Sequence, residues 1–142
     1  MRERPPHVQK AYQPPGGPNT QIEVLLHLAR ILNMLIHFEM GNTLLLESLV
    51  RSTYRYWKKQ SDIFAYEKAM LQFFRQAIKV PDRSGMRTLL LQLQEELNDL
   101  FTQPKEKPML ELFNIRAWVV SKIQKRSFAE VVKENYRNEL TT

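Results

Sequence analysis

The sequence predicts an all-α protein, and three observations lead to this. Apolar residues recur at spacings of three and four through most of the chain, which is the period of an amphipathic helix. Capping and breaking signals divide that pattern into six segments of helical length. No window alternates β-branched and polar residues between turn signals, so we predict no strands. The six helices pair as three antiparallel hairpins, forming either a short α-solenoid or an irregular helical bundle.

The first 18 residues differ from the rest in composition. Residues 1–18 hold five of the eight prolines and two of the four glycines. Because proline lacks an amide donor and fixes φ, this stretch cannot continue a helix. We predict a flexible Pro/Gly-rich leader over 1–18, with a proline-rich ligand as the less favoured alternative. An all-helical domain over 19–140 follows it.

The first predicted helix, Ile22 to Met40, is apolar nearly all the way round. A capping box from Thr20 to Glu23 starts it, and Gly41 ends it. Its polar residues fall within about 120° of arc when each residue advances by about 100°. These residues, the polar stripe, are Glu23, His27, Arg30, Asn33 and His37. We expect other helices to cover most of this rod, so that the stripe either faces solvent or floors a groove for a partner.

Two further helices follow the first. Asn42 or Thr43 caps the second, which runs to about Lys59, and the joint is short enough to make the two helices antiparallel neighbours. Ser61 or Asp62 opens the third, which we predict over 62–79.

Turn and capping signals also place the last three helices. A turn cluster over 81–85 precedes the fourth helix, which ends near Phe101. Pro108 suits the first turn of a fifth helix, predicted as one element over 108–126. A capping box from Ser127 to Glu130 starts a short sixth helix, which has Phe128, Val131, Val132 and Tyr136 on one face.

Composition limits the classes of function. The chain has no cysteine, which excludes disulfides, Cys-ligated zinc, iron–sulfur clusters and a thiol nucleophile. Its formal net charge of +6 favours acidic partners, including nucleic acid. We find no signal peptide, and charges within the most apolar helix disfavour a membrane span. We therefore predict a cytoplasmic protein without membrane association, and homo-oligomerisation through an exposed end stays open.

Several stretches carry a resemblance to known proteins. Leu28 to Ile31, Ile36 to Asn42 and Arg51 to Arg55 resemble the C-terminal region of large uncharacterised bacterial helical-repeat proteins, similar to tetratricopeptide solenoids. Ser121 to Ile123 and Arg126 to Val132 resemble the end of the same region. The Trp, Leu-Gly and Tyr pattern of tetratricopeptide repeats is absent. The resemblance implies a helical-repeat interaction surface and no catalytic residues.

Histidine is the first candidate for site chemistry. Glu23–His27 and Asn33–His37 have the i,i+4 spacing at which two side chains on one helix can share a metal. Each pair offers only one good ligand, and the two histidines lie ~15 Å apart along the axis. We therefore predict no metal and no cofactor.

Enzymatic motifs are missing from the sequence. It has no phosphate-binding glycine loop, no nucleophile elbow and no zinc-protease helix. The acidic cluster of Glu95, Glu96 and Asp99 lies opposite the leucine stripe of the fourth helix, and we interpret it as a solvated face. We predict no catalytic residues and no enzyme activity.

The end of the second helix is rich in cations and aromatic residues. Cations neutralise phosphates and aromatic faces stack on bases, so this stretch could bind nucleic acid or another acidic partner. The candidate contacts are Arg51, Arg55, Lys58 and Lys59. The aromatic spacing also suits a helical core, and cations gather at helix C-termini for dipole reasons alone. A looser basic group comprises Arg116, Lys122, Lys125 and Arg126.

These patterns favour a non-catalytic protein-interaction module or scaffold. Such a module would bind a partner helix or peptide in a groove between hairpins, with the polar stripe as its floor. The alternative is a basic nucleic-acid-associated protein that uses the cations of the second helix.

Overall fold

A computed structural model describes residues 21–59 and 63–141, and within those residues every regular element is an α-helix. The all-α prediction is confirmed. The predicted leader over 1–18 and the predicted caps Thr20, Ser61 and Asp62 lie outside the described residues. The described helices are α1 (Gln21–Met40), α2 (Thr43–Lys58), α3 (Ala65–Ala77), α4 (Arg83–Leu100), α5 (Lys107–Leu112), α6 (Ile115–Gln124) and α7 (Phe128–Thr141).

A tight joint separates α1 from α2. Gly41 has φ of +74°, in the left-handed region where glycine has no steric penalty, so α1 ends at Met40 as predicted. The amide of Asn42 donates to the carbonyl of His37 at 3.0 Å and closes the last turn of α1. The two helices pack directly against each other.

The most enclosed helix is α3, which packs against α1, α2 and α4. Eight of its 13 residues are buried, against five of 20 in α1. An aromatic cluster lies at the centre of the fold, where Phe38 of α1 contacts Phe73 of α3 at 5.6 Å and Trp118 of α6 at 5.8 Å between ring centroids. The core is therefore built around α3, and the expectation that α1 is covered on most sides does not hold within the described residues.

The predicted fifth helix is two helices, which makes seven described helices instead of six. Phe113 adopts an extended backbone between α5 and α6, and its ring stacks on Phe128 at 5.5 Å with 10° between the planes. Asn114 then caps α6 by accepting a hydrogen bond from the amide of Ala117 at 3.0 Å. The break lets Phe113 stack on Phe128 and lets Asn114 cap α6. The spacing of apolar residues continues across the break, so it predicts a single helix.

The other helix boundaries also follow from capping. Asp82 caps α4 by accepting from the amide of Gly85 at 2.8 Å, so α4 begins inside the predicted turn cluster over 81–85. The predicted capping box of α7 is confirmed: the amide of Glu130 donates to Ser127 Oγ, and the amide of Ser127 donates to Glu130 Oε1. α7 continues to Thr141.

Contacts also join α1 to α6. Glu39 at the end of α1 accepts hydrogen bonds from Trp118 Nε1 and Lys122 Nζ of α6, each at 2.6 Å.

By length and composition alone, α1 is also the one described helix that could cross a bilayer, and 28% of its apolar window is buried within the fold.

Candidate partner-binding surfaces

The polar stripe of α1 lies along the seam between α1 and α2. Arg30 places its guanidinium carbon 4.1 Å from the ring centroid of Tyr56 on α2. Asn42 Nδ2 lies 3.0 Å from Nδ1 of the half-buried His37. Glu23 and Asn33 are exposed. The five stripe residues therefore share an arc of the helix, as predicted, but do not form one open groove.

His27 is the stripe residue that the fold removes from the surface. It is 2% exposed, and its Nδ1 lies 2.9 Å from Oε2 of the fully buried Glu67 on α3. The two groups are within ion-pair distance, although their orientation does not meet hydrogen-bond geometry. Burial raises the pKa of Glu67, while the amide of Phe64 and the adjacent His27 oppose that rise. His27 is therefore a core residue and not an accessible partner contact.

A second buried carboxylate, Glu106, binds the start of α3. Its two oxygens accept from the amides of Ala65 and Tyr66 at 2.8 and 3.0 Å, across 40 residues of sequence. Glu67 accepts from the amide of Phe64 at 2.9 Å in the same turn. Two carboxylates thus satisfy the free amides at the positive end of one helix.

Tyr66 is the third polar member of this buried cluster. Burial is the main cause of the raised pKa of its phenol, and the charges of Glu67 and Glu106 add to it. Its hydroxyl has no hydrogen-bond partner among the described residues. No pattern in the sequence indicates this cluster, because its members belong to α1, α3 and the turn before α5. Its tight packing makes it a structural feature of the core.

Beside the polar stripe, on the side of α1 that points away from the core, lies an exposed apolar face. At about 100° per residue its members lie within about 100° of arc, and they extend over about 27 Å of the helix. The large ones are between 51% and 71% exposed. The α1 apolar face consists of Ile22, Leu25, Leu26, Ala29, Ile36 and Met40. Asn33 is the polar residue on the same arc. Leu44 and Leu45 at the start of α2 are also exposed.

The predicted cations of α2 lie at the surface, and two of its aromatic residues join them. Arg51, Arg55, Lys58 and Lys59 are all exposed. Trp57 is buried in the core, whereas Tyr54 and Tyr56 are partly exposed. The structure thus assigns one aromatic residue to packing and leaves two beside cations.

α3 contributes further cations to this surface. Arg75 places its guanidinium carbon 4.8 Å from the ring centroid of Tyr54, and the ammonium of Lys58 lies 5.7 Å from the same centroid. Two hollows of about 220 Å³ each flank Tyr54 and Arg75 between α2 and α3. Lys68 lines one of them. The sequence could not show that Arg75 and Lys68 of α3 lie beside Tyr54, because only the packing of α3 on α2 brings them together.

The looser basic group is largely engaged within the protein. Lys122 binds Glu39, and Arg126 forms an ion pair with Glu134 at 2.7 Å. Lys125 ends α6 in the left-handed conformation. These contacts divide the group, so it does not form a single free basic patch.

A cleft of about 570 Å³ between α4, α5, α6 and α7 contains the fourth member of that group. Arg116 stacks on Phe101 at 4.0 Å and donates from Nε to Asn98 Oδ1 at 2.9 Å, and burial lowers its pKa. Glu111 and Glu139 line the same cleft, so it carries both signs of charge. This arrangement gives no preference for one class of ligand.

Neither a metal cluster nor a known relative identifies the site. In the described parts of the chain, no three His, Asp or Glu side chains are grouped so that they could hold a metal ion. No protein-family model, no curated protein and no solved structure matches the chain. The resemblance to helical-repeat proteins therefore stays a prediction.

Proposed function

We propose that the protein is a non-catalytic interaction module whose α1 apolar face binds the apolar face of a partner helix. The observation that carries this proposal is the length of that face, on which Asn33 is the one polar residue. Soluble proteins rarely leave a contiguous apolar patch of this kind open without a binding role. A helix about 27 Å long with one apolar side suits a second amphipathic helix, which would contact it at positions three and four residues apart.

The size of the face favours a reversible complex. Fully burying a large aliphatic side chain contributes about 1.5–3 kcal/mol. The five large side chains of the face are already partly covered, so their further burial supplies on the order of 5 kcal/mol. Association itself costs an estimated 4–15 kcal/mol. The partner must therefore also contact the flanking residues, and Leu44 and Leu45 are the nearest exposed apolar side chains along the chain.

The polar residues beside the face would set the register of the partner. Asn33 lies on the same arc as the apolar residues, and a polar group within an apolar seam penalises partners that leave it unpaired. Glu23 at the first turn and the half-buried His37 lie along one edge of the face. In this proposal, Glu23, Arg30 and His37 border the docking surface instead of flooring it. Asn33 lies within the surface, and His27 supports it from the core.

We also propose that the helical hairpins form an irregular bundle instead of a regular solenoid. In a solenoid each repeat contacts only its neighbours. Here α1 belongs to the first predicted hairpin and α6 to the third, yet Glu39 binds Trp118 and Lys122 directly. This contact supports a closed arrangement in which α1 is held firmly on its buried side.

Site-specific cross-linking tests the docking proposal. The photoreactive residue benzoylphenylalanine is placed at Ala29 within the full-length chain and irradiated in the native cell. We expect an adduct whose mapped peptide belongs to an amphipathic helix of another protein. Leu26→Lys with Ile36→Lys should reduce the adduct at least about tenfold, because two ammonium groups would enter an apolar seam.

The matched control is Leu112→Lys, which adds the same charge at another exposed leucine, on α5. It should leave the adduct unchanged. An adduct that maps to residues 1–18 of the same chain, or to a second copy of the chain, contradicts the proposal and identifies the leader or self-association as the occupant. An equal yield from the double variant also contradicts it.

A further inference from the structure

A groove between α2 and α3 joins an apolar floor to a cationic rim. Its two hollows share Tyr54 and Arg75, which stand between them. Val50 lines one hollow, and Trp57, Leu71 and Ile63 line the other. We name this surface the Tyr54 groove, and its cations are Arg51, Arg55, Lys58, Lys68 and Arg75.

The charge of the Tyr54 groove has one sign. Among the described residues that line the two hollows, none is acidic. The nearest ion pair joins Arg51 to Glu47 over 3.7 Å, and both side chains are well exposed. Such a pair is screened by water and contributes little, so Glu47 does not neutralise the rim. The groove therefore presents a surplus of positive charge to an approaching ligand.

The geometry around Tyr54 distinguishes between acidic ligands. The cations of Arg75 and Lys58 already stand over its ring, at 4.8 and 5.7 Å from the centroid. A nucleic-acid base would have to displace them before it could stack on that ring. Each hollow, at about 220 Å³, is also smaller than the ~300–1,000 Å³ of typical small-molecule sites. One apolar side chain in each hollow is the better fit.

We propose that the Tyr54 groove binds an acidic peptide segment that carries apolar side chains among its carboxylates. The carboxylates pair with the cationic rim, and two apolar side chains enter the hollows on either side of Tyr54. Arginine and tyrosine are the residue types that concentrate binding energy at protein interfaces. The groove shares no residue with the α1 apolar face, so this proposal stands or fails separately from the docking of a partner helix on α1.

Fluorescence anisotropy with the full chain tests the proposal. The probe is a labelled twelve-residue peptide of alternating Glu-Glu and Leu-Leu pairs, and the comparison peptide has Gln in place of every Glu. We expect the acidic peptide to bind at least about tenfold more tightly than the Gln peptide, and this preference should shrink as added salt screens the rim. Arg55→Glu with Arg75→Glu should weaken binding of the acidic peptide about tenfold or more.

Matched variants distinguish a loss of binding caused by the groove residues from a loss caused by net charge or by misfolding. Lys133→Glu with Arg137→Glu makes the same change in net charge on the exposed face of α7 and should retain binding. Arg55→Gln with Arg75→Gln, which removes charge without reversing it, should give an intermediate loss.

Three results would overturn the proposal. The first is equal affinity for the acidic and Gln peptides, and the second is equal loss of binding in the groove and α7 variants. The third concerns single-stranded oligothymidine with as many phosphates as the peptide has carboxylates. If it binds more tightly than the peptide and loses affinity in the Arg55→Glu, Arg75→Glu variant, the groove is a nucleic-acid surface instead.

Discussion

Glu67 is a fully buried carboxylate, so its contribution to stability depends on pH. Burial raises its pKa, and the neighbouring imidazole of His27 at 2.9 Å only partly offsets that rise. A carboxyl group whose pKa is higher in the folded than in the unfolded chain binds its proton more tightly when folded. Its stabilising contribution is complete below the unfolded pKa, near 4.5, and is lost as pH rises through the folded pKa.

Glu67→Gln should therefore gain stability relative to the unmodified protein as pH rises from about 4.5 towards 7. The amide oxygen of Gln can still accept from Phe64, while the desolvated charge is absent. Each unit of pKa shift corresponds to about 1.4 kcal/mol. Urea unfolding at four pH values measures the difference.

Glu96→Gln is the control at the residue scale, because Glu96 is exposed on α4. Its difference from the unmodified protein should be flat across the same pH range. A flat difference for Glu67→Gln as well would mean that the buried carboxyl titrates as it does in water.

The role of His27 shows what helical periodicity could and could not predict. Spacing placed His27 correctly on one arc with Arg30 and His37. Spacing alone could not show whether His27 faces solvent, a groove or the core. α1 is apolar on nearly every other side, so no single apolar face identifies the side that packs on the core. The deciding contact is with Glu67, 40 residues away on another helix. Only the tertiary fold brings that carboxylate to the imidazole.

At the scale of the helices, Glu106 connects the loop before α5 to the first turn of α3. Its oxygens accept from two amides that have no partner within the helix, and its charge lies at the positive end of α3. No local motif could have identified Glu106 as a cap. Capping motifs join residues three or four positions apart, whereas Glu106 and Tyr66 are 40 residues apart. By contrast, the local caps Gly41 and Ser127–Glu130 were predicted correctly because all their atoms lie within one turn.

Glu106→Ala should destabilise the fold by about 3 kcal/mol, since it leaves two buried amides unpaired. Glu106→Gln keeps one acceptor oxygen and should lose roughly half as much. Chemical denaturation gives the free energies of unfolding, and hydrogen exchange should show the largest loss of protection in the first turn of α3. Glu111→Ala on the exposed side of α5 should change stability by less than about 0.5 kcal/mol. Equal effects at Glu106 and Glu111 would exclude the capping role.

At the scale of the whole molecule, the chain is held together by contacts between sequence-distant helices. Phe38 and Glu39 of α1 both contact Trp118 of α6, 79 or more residues away. The alternation of apolar and capping signals predicted the helices but not this closure, because hairpins of the same sequence pattern can stack openly or fold back. The aromatic cluster around Phe73 favours folding back, since it draws side chains from three helices.

The contact between Glu39 and α6 makes a specific prediction about cooperativity. Trp118 is buried, so Glu39→Ala leaves its indole donor without a partner, at a cost of about 1–3 kcal/mol. If the bundle unfolds as one unit, the fully buried amides of Ile31 in α1 and Val119 in α6 should lose the same protection free energy against hydrogen exchange. Glu39→Gln retains the acceptor for Trp118 and should lose less than about 1 kcal/mol, the value of the exposed ion pair with Lys122. Glu47→Ala, which removes only a surface ion pair on α2, should leave both amides protected. A loss of protection confined to Val119 would instead indicate hairpins that open one at a time, as in a solenoid.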